Sequence, residues 1–118
     1  MNIEEVRLCV LSQHGVTEDM PFGDDVVTFR VEGKIFLGLS LGDRHVFACK
    51  LLPERNEELR AIYTAITPAY HWSKTHWSDV AYEELPDELV KEIICESYQL
   101  ILTKLPKAQR KKYKLTEI

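Results

Sequence analysis

The spacing of hydrophobic positions along the chain changes several times, and each change predicts an element. Ile3, Val6, Cys9 and Val10 recur at three- and four-residue intervals, the stripe of a short helix. Asn2 stands where an N-cap belongs, Glu5 completes a capping box three residues on, and Gly15 follows as a C-cap glycine. Residues 16–25 are polar and turn-rich, closing on Pro21, Phe22, Gly23 and two aspartates, and are expected to be a connection. The period then falls to two. Val26–Val31, Ile35–Leu41 and His45–Leu52 read as three strands, joined by turns at Glu32-Gly33-Lys34 and Gly42-Asp43-Arg44. Alternation assigns Val27, Phe29, Val31, Ile35, Leu37, Leu39, Leu41, Phe47, Cys49 and Leu51 to an apolar face. It leaves Thr28, Arg30, Phe36, Gly38, Ser40, Ala48 and Lys50 on a mixed one.

Helical spacing returns at Pro53, with Leu59, Ile62, Tyr63 and Ile66 as its stripe and Thr67-Pro68 as its end, because a residue before proline is pushed out of the helical region. Trp77–Tyr82 reads as a fourth strand. Pro86 opens the longest helix, whose inner face runs from Leu89 to Leu102 and which ends near Leu105-Pro106. The elements sum to an α+β fold: a two-layer sandwich in which an antiparallel sheet, a three-strand meander plus a fourth strand, is covered on one face by helices. With no repeat or Gly/Ser linker, residues 1–105 are expected to form a single domain and residues 106–118 a basic C-terminal tail.

Charge sharpens that division. The formal net charge is −4, yet residues 1–103 carry nine Lys and Arg against eighteen Asp and Glu, while residues 104–118 carry six against Glu117 alone. An acidic body is the opposite of the balance expected of a strongly nucleic-acid-binding domain, and the basic end reads most simply as a solvated helix end and tail. Cys9, Cys49 and Cys95 are too widely spaced for a CxxC site, and each has an apolar neighbour, so they read as small hydrophobes in a reducing cytoplasm. Apolar runs such as Ile35–Leu39 are far shorter than the roughly 20 residues of a membrane span. Glu4, Glu5 and Arg7 argue against a signal peptide, so no membrane association is expected.

The densest chemistry lies in residues 68–77, Pro-Ala-Tyr-His-Trp-Ser-Lys-Thr-His-Trp, which hold both tryptophans and two of the four histidines. Together with Phe22-Gly23, the hairpin Val31-Glu32-Gly33-Lys34-Ile35-Phe36, and Ser97-Tyr98, this segment resembles the MmcQ/YjbR family in order and spread. The resemblance implies a compact fold similar to that of the frataxin-like CyaY proteins. It also implies a proposed DNA-binding role through a double-wing motif, with no established reaction, substrate or cofactor.

Three functional classes can be weighed on these residues. For weak, phosphate-dominated DNA binding, Arg30, Lys34, Lys50 and Lys74 would meet phosphates and His71 and His76 would donate hydrogen bonds. Trp77 would brace the loop or stack, and Trp72 or Phe36 would stack on unpaired bases. A protein- or small-ligand-binding module would use the same loop and the open sheet face. Catalysis finds no support, since no nucleophile elbow, phosphate loop or dinucleotide fingerprint occurs. A metal site finds little, since His71 and His76 stand five apart, outside common zinc spacings. Beside all of these stands simple packing, with Tyr70, Trp72 and Trp77 sealing one end of the core.

Overall fold

The capping box forms as the sequence predicts: Asn2 Oδ1 accepts from the Glu5 amide at 2.8 Å and Glu5 Oε1 from the Asn2 amide at 2.9 Å. Helix α1 spans Ile3–Leu11 behind it. The computed structural model describes residues 1–113, so Lys114 and Glu117 of the expected basic tail lie outside the described residues. Strands β1 (Val16–Asp19), β2 (Val26–Val31), β3 (Lys34–Ser40) and β4 (Phe47–Lys50) lead to helix α2 (Pro53–Ile62). Strands β5 (Ile66–Pro68) and β6 (Trp77–Val80) then precede helix α3 (Asp87–Thr103) and the short α4 (Lys107–Arg110). All six strands form one antiparallel sheet in the order β1-β2-β3-β4-β6-β5. The fold is α+β, with helices packed on one face. Among the described residues no helix is long and apolar enough to cross a membrane.

Two strands lie where the sequence pattern pointed elsewhere. Residues 16–25 were expected to be only a connection, yet Val16–Asp19 pairs with β2 along its whole length. Its side chains are mostly exposed, so it carries no apolar alternation to announce it. Ile66 was expected to close the helical stripe of α2. It leaves the helix instead, is buried in β5, and pairs with Val80. The strand expected over His45–Leu52 is shortened to β4, because His45 takes a positive φ of 52° that extends the turn before it and Leu52 caps α2.

The β2–β3 turn is a two-residue one in which Glu32 and Gly33 both have positive φ, the geometry that matches strand twist. Just beyond it, Phe29 pairs with Leu37 but Arg30 pairs with Ile35, so Phe36 is an inserted bulge residue. The bulge reverses the expected sides of two residues. Phe36, expected on the mixed face and as a base-stacking platform, is fully buried beneath the helices with its ring edge on Tyr98 at 5.8 Å. Ile35, expected among the covered residues, packs on the other face with Ala48 and Trp77. Ser97 supports the bulge from the helix side: its buried hydroxyl donates to the Phe36 carbonyl at 2.9 Å. The neighbouring Tyr98 hydroxyl donates to the His14 carbonyl at 2.5 Å. Leu41, expected in the apolar set, lies past the end of β3 and is exposed.

Beyond Pro106 the chain returns to the domain. The Tyr113 hydroxyl donates to Glu32 Oε2 at 2.9 Å, and Lys112 approaches the same carboxylate at 3.5 Å. Burial and the Glu32 carboxylate push the Tyr113 phenol up to about 12. Gly15 makes the fit possible, because a Cβ there would lie 2.7 Å from the Tyr113 hydroxyl oxygen.

Candidate functional site

One row of residues crosses the open face of the sheet through the pairs Asp19–Thr28, Thr28–Gly38, Gly38–Ala48, Ala48–Asp79 and Asp79–Thr67. Its centre is occupied by the two smallest side chains, so the sheet has a trough there. Trp72 lies over it. A Cβ built on Gly38 would come within 3.1 Å of the Trp72 ring, and the ring stacks on Trp77 with centroids 4.4 Å apart. Trp77 is itself only 9% exposed and packs with Ala48 and Ala69. On its other flank Trp72 meets the exposed ring of Phe22, edge to face at 6.1 Å. Phe22, Asp25, Val26, His71 and Trp72 line the outer groove, and the same residues except Phe22 lead into a narrower part of about 170 Å³ over Gly38, Ser40 and Ala48.

The loop that carries Trp72 is held by its backbone. Arg60 on α2 donates to the Lys74 and Trp77 carbonyls, both at 2.6 Å, and to the Ser78 hydroxyl at 3.0 Å. Asn56, one turn earlier and wholly buried, donates to the Leu51 and Thr75 carbonyls and accepts from Ser78. The Leu51 amide donates to the His76 carbonyl, fixing the far end of the loop. Side chains from the covered layer thus satisfy carbonyls that an irregular segment would otherwise leave unpaired. Asp79, 3% exposed, anchors the near end: its Oδ2 accepts from the Tyr70 amide at 3.1 Å and from Arg44 at 2.7 Å. The Arg44 guanidinium also sits 5.2 Å above the Tyr70 ring, a cation–π contact.

Of the seven residues singled out from the sequence, Lys50 and Trp77 are register partners in the β4–β6 pairing. His71 lines the groove and packs its ring edge against Tyr70. Trp77 forms the base of the tryptophan stack. Lys74 and His76 are exposed on the loop, with the Lys74 ammonium donating to the Ala69 carbonyl at 2.8 Å. Arg30 is paired with Asp19 at 3.2 Å and donates to the Gly33 carbonyl. Asp19 is held below the usual carboxylate range, chiefly by the hydrogen bond from the Thr28 hydroxyl. Lys34 is exposed at the start of β3, and Lys50 lies half-buried at the end of β4. Burial lowers the Lys50 ammonium, and the charges of Lys104 and Lys34 add to the effect. Asp25, Arg44 and Asp79 were not singled out. Arg44 and Asp79 are 35 residues apart, and only the β4–β6 pairing brings them together.

A six-stranded antiparallel sheet with helices on one face and an aromatic-walled groove on the other defines a small two-layer α+β protein. The model of the YjbR family matches residues 11–100, and the chain belongs to that family. It is 33% identical over 94 residues to the YbdF protein of Escherichia coli O157:H7, covering 78% of this chain and 77% of that one. It is 27% identical over 113 residues to the YjbR protein of Escherichia coli K12, covering 94% and 96%. Both relatives are named as uncharacterised proteins. Among solved structures, the Deinococcus radiodurans protein DR2400, with a DUF419 domain, superposes with a TM-score of 0.88 at 29% identity, covering 98% of this chain and 90% of that one. A Pseudomonas syringae protein superposes with a TM-score of 0.73 at 25% identity, covering 85% and 98%.

Proposed function

We propose that the protein is a non-enzymatic binding module that takes a small ligand in the groove between the Trp72 loop and the open sheet face. Trp72 carries this reading. Its ring rests on a floor of glycine and alanine and is backed by Trp77, while Phe22, in edge-to-face contact with it, stays exposed. Large aromatic surfaces beside a concave site with a few polar groups are the usual make-up of a ligand pocket. A loop needed only to seal the core would not require an aromatic side chain held open beside it. The test is a screen of small aromatic and polar fragments against the labelled protein, read by amide chemical shifts. Binders are expected to move the amides of Phe22, Asp25, His71 and Trp72 together. Shifts confined to the α2–α3 surface, or none at all, refute the groove.

The positive charges of Lys34 and Lys104 that reach Lys50 favour a second reading, weak DNA binding dominated by phosphates. Duplex DNA would then bind with an affinity that falls steeply with salt. Replacing Lys34 and Lys50 by alanine would flatten the log–log salt slope by about 2, at roughly 0.9 per phosphate contact. Absence of binding at low salt removes this reading and leaves the groove untouched.

A further inference from the structure

The outer groove is chemically one-sided: beside Val26 and His71 its lining is aromatic and acidic, with no lysine or arginine. The Phe22 and Trp72 rings meet at 75° with centroids 6.1 Å apart, forming two sides of a corner, and Phe22 is 63% exposed. Asp25 lines the same corner. Its main-chain carbonyl accepts from the Leu41 amide, but its carboxylate has no ion-pair or hydrogen-bond partner among the described residues. Arg44 lines only the narrower inner part, where it pairs with buried Asp79 and covers the Tyr70 ring. The outer groove therefore presents aromatic faces and one unpaired carboxylate, on a body whose first 103 residues carry twice as many acidic as basic side chains.

That combination selects a cation that is large, weakly hydrated and apolar at its surface. Ring quadrupoles attract a cation within about 6 Å of the centroid, tryptophan most strongly, and alkylated ammonium groups lose little hydration on entering such a corner. An anionic ligand would meet Asp25 and find Arg44 engaged. A neutral aromatic would gain from the rings alone. We infer that the groove binds an alkylated ammonium group, carried by a free small molecule or by the end of a modified lysine side chain. This inference rests on the groove reading above and names its ligand class.

The test uses the full chain and three kinds of probe: choline with tetramethylammonium, the neutral choline isostere 3,3-dimethylbutan-1-ol, and a short peptide carrying trimethyllysine beside its unmodified form. Tryptophan fluorescence and amide shifts report binding. Choline is expected to bind about 2- to 30-fold more tightly than its isostere, the range that cation–π contacts of about 0.5–2 kcal/mol supply. Asp25→Asn and Phe22→Leu should each remove most of that preference. Both residues are exposed, so the variants are expected to keep the circular dichroism of the parent. A trimethyllysine peptide that outbinds choline assigns the ammonium to a side chain, and the reverse order assigns it to a free molecule; either supports the ligand class. Equal binding of choline and the isostere overturns the cation inference while leaving the groove reading standing. Silence from every probe, when aromatic fragments do shift the groove amides, likewise overturns the cation inference alone. Silence from the fragments as well removes both.

Discussion

On the covered face of the sheet Phe29, Phe36 and Phe47 are fully enclosed between strands and helices, and each of them belongs to one continuous core. On the open face Trp72 and Trp77 form a separate small cluster with Ala48, Ala69 and Ile35, and Phe22 stands beside it largely in solvent. The two faces use the same kind of side chain for different ends. Where aromatic rings are surrounded, their burial is stability. Where a ring is backed on one side and left uncovered on the other, its surface remains available for a ligand. The bulge at Phe36 marks the boundary, sending one aromatic inward and turning Ile35 out beneath the tryptophans.

The largest expected effect separates the two faces outright. Phe36→Ala removes a wholly buried ring and the edge contact with Tyr98, and should cost about 3–5 kcal/mol of unfolding free energy by urea titration. The bulge carbonyl keeps its bond from Ser97, so the loss is one of packing. A cost under 1 kcal/mol would mean that the layer collapses readily around the vacated space, and the contrast between the faces would fail.

A smaller effect should cross from one face to the other. Asn56 sits in the covered layer but hydrogen-bonds the carbonyl of Thr75 in the loop that carries Trp72. Asn56→Ala leaves the Thr75 and Leu51 carbonyls without donors and the Ser78 hydroxyl without its acceptor, a cost of about 2–3 kcal/mol. It should also loosen the loop, visible as a weakened exciton signal from the Trp72–Trp77 pair in circular dichroism. A destabilised variant with that signal intact would show that Arg60, Asp79 and the Leu51 amide position the loop without Asn56.

The covered face was the more legible of the two in the sequence, and the reason is physical. Strand β2, the β2–β3 turn and the faces of α1 and α3 follow from hydrophobic period and turn chemistry, which are local. Strand β1 has one partly buried apolar residue in four, so only its pairing with β2 makes it a strand. Ile66 fits the stripe of α2 equally well, and tertiary pairing decides against the helix. The Phe36 bulge adds one residue without any glycine or proline to betray it. On the open face, residues 68–77 stood out by composition, and His71, Trp72 and Trp77 do lie at the groove. The charges that shape it do not announce themselves, because Arg44 and Asp79 meet through strand pairing and Arg30 and Lys74 are engaged by partners that no spacing rule links to them.

Gly38→Ala is the smallest and most discriminating change. The new Cβ would lie 3.1 Å from Trp72 Cζ2 and 3.4 Å from Val26 Cγ1, so the indole must yield by a few tenths of an ångström. It has room to do so, since its outer side faces the groove rather than packed protein. Alanine also restricts the unfolded chain, which stabilises by about 0.4–1 kcal/mol where the native backbone suits it. The two effects oppose each other, and net stability should move by less than about 1 kcal/mol in either direction. The groove should respond more than the fold does: tryptophan emission should shift, and ligand affinity should fall as the floor rises beneath Trp72. Unchanged emission and unchanged binding would mean that the ring does not rest on this floor. A stability loss as large as that of Phe36→Ala would mean that the open face is packed as tightly as the covered one, and the distinction between them would be gone.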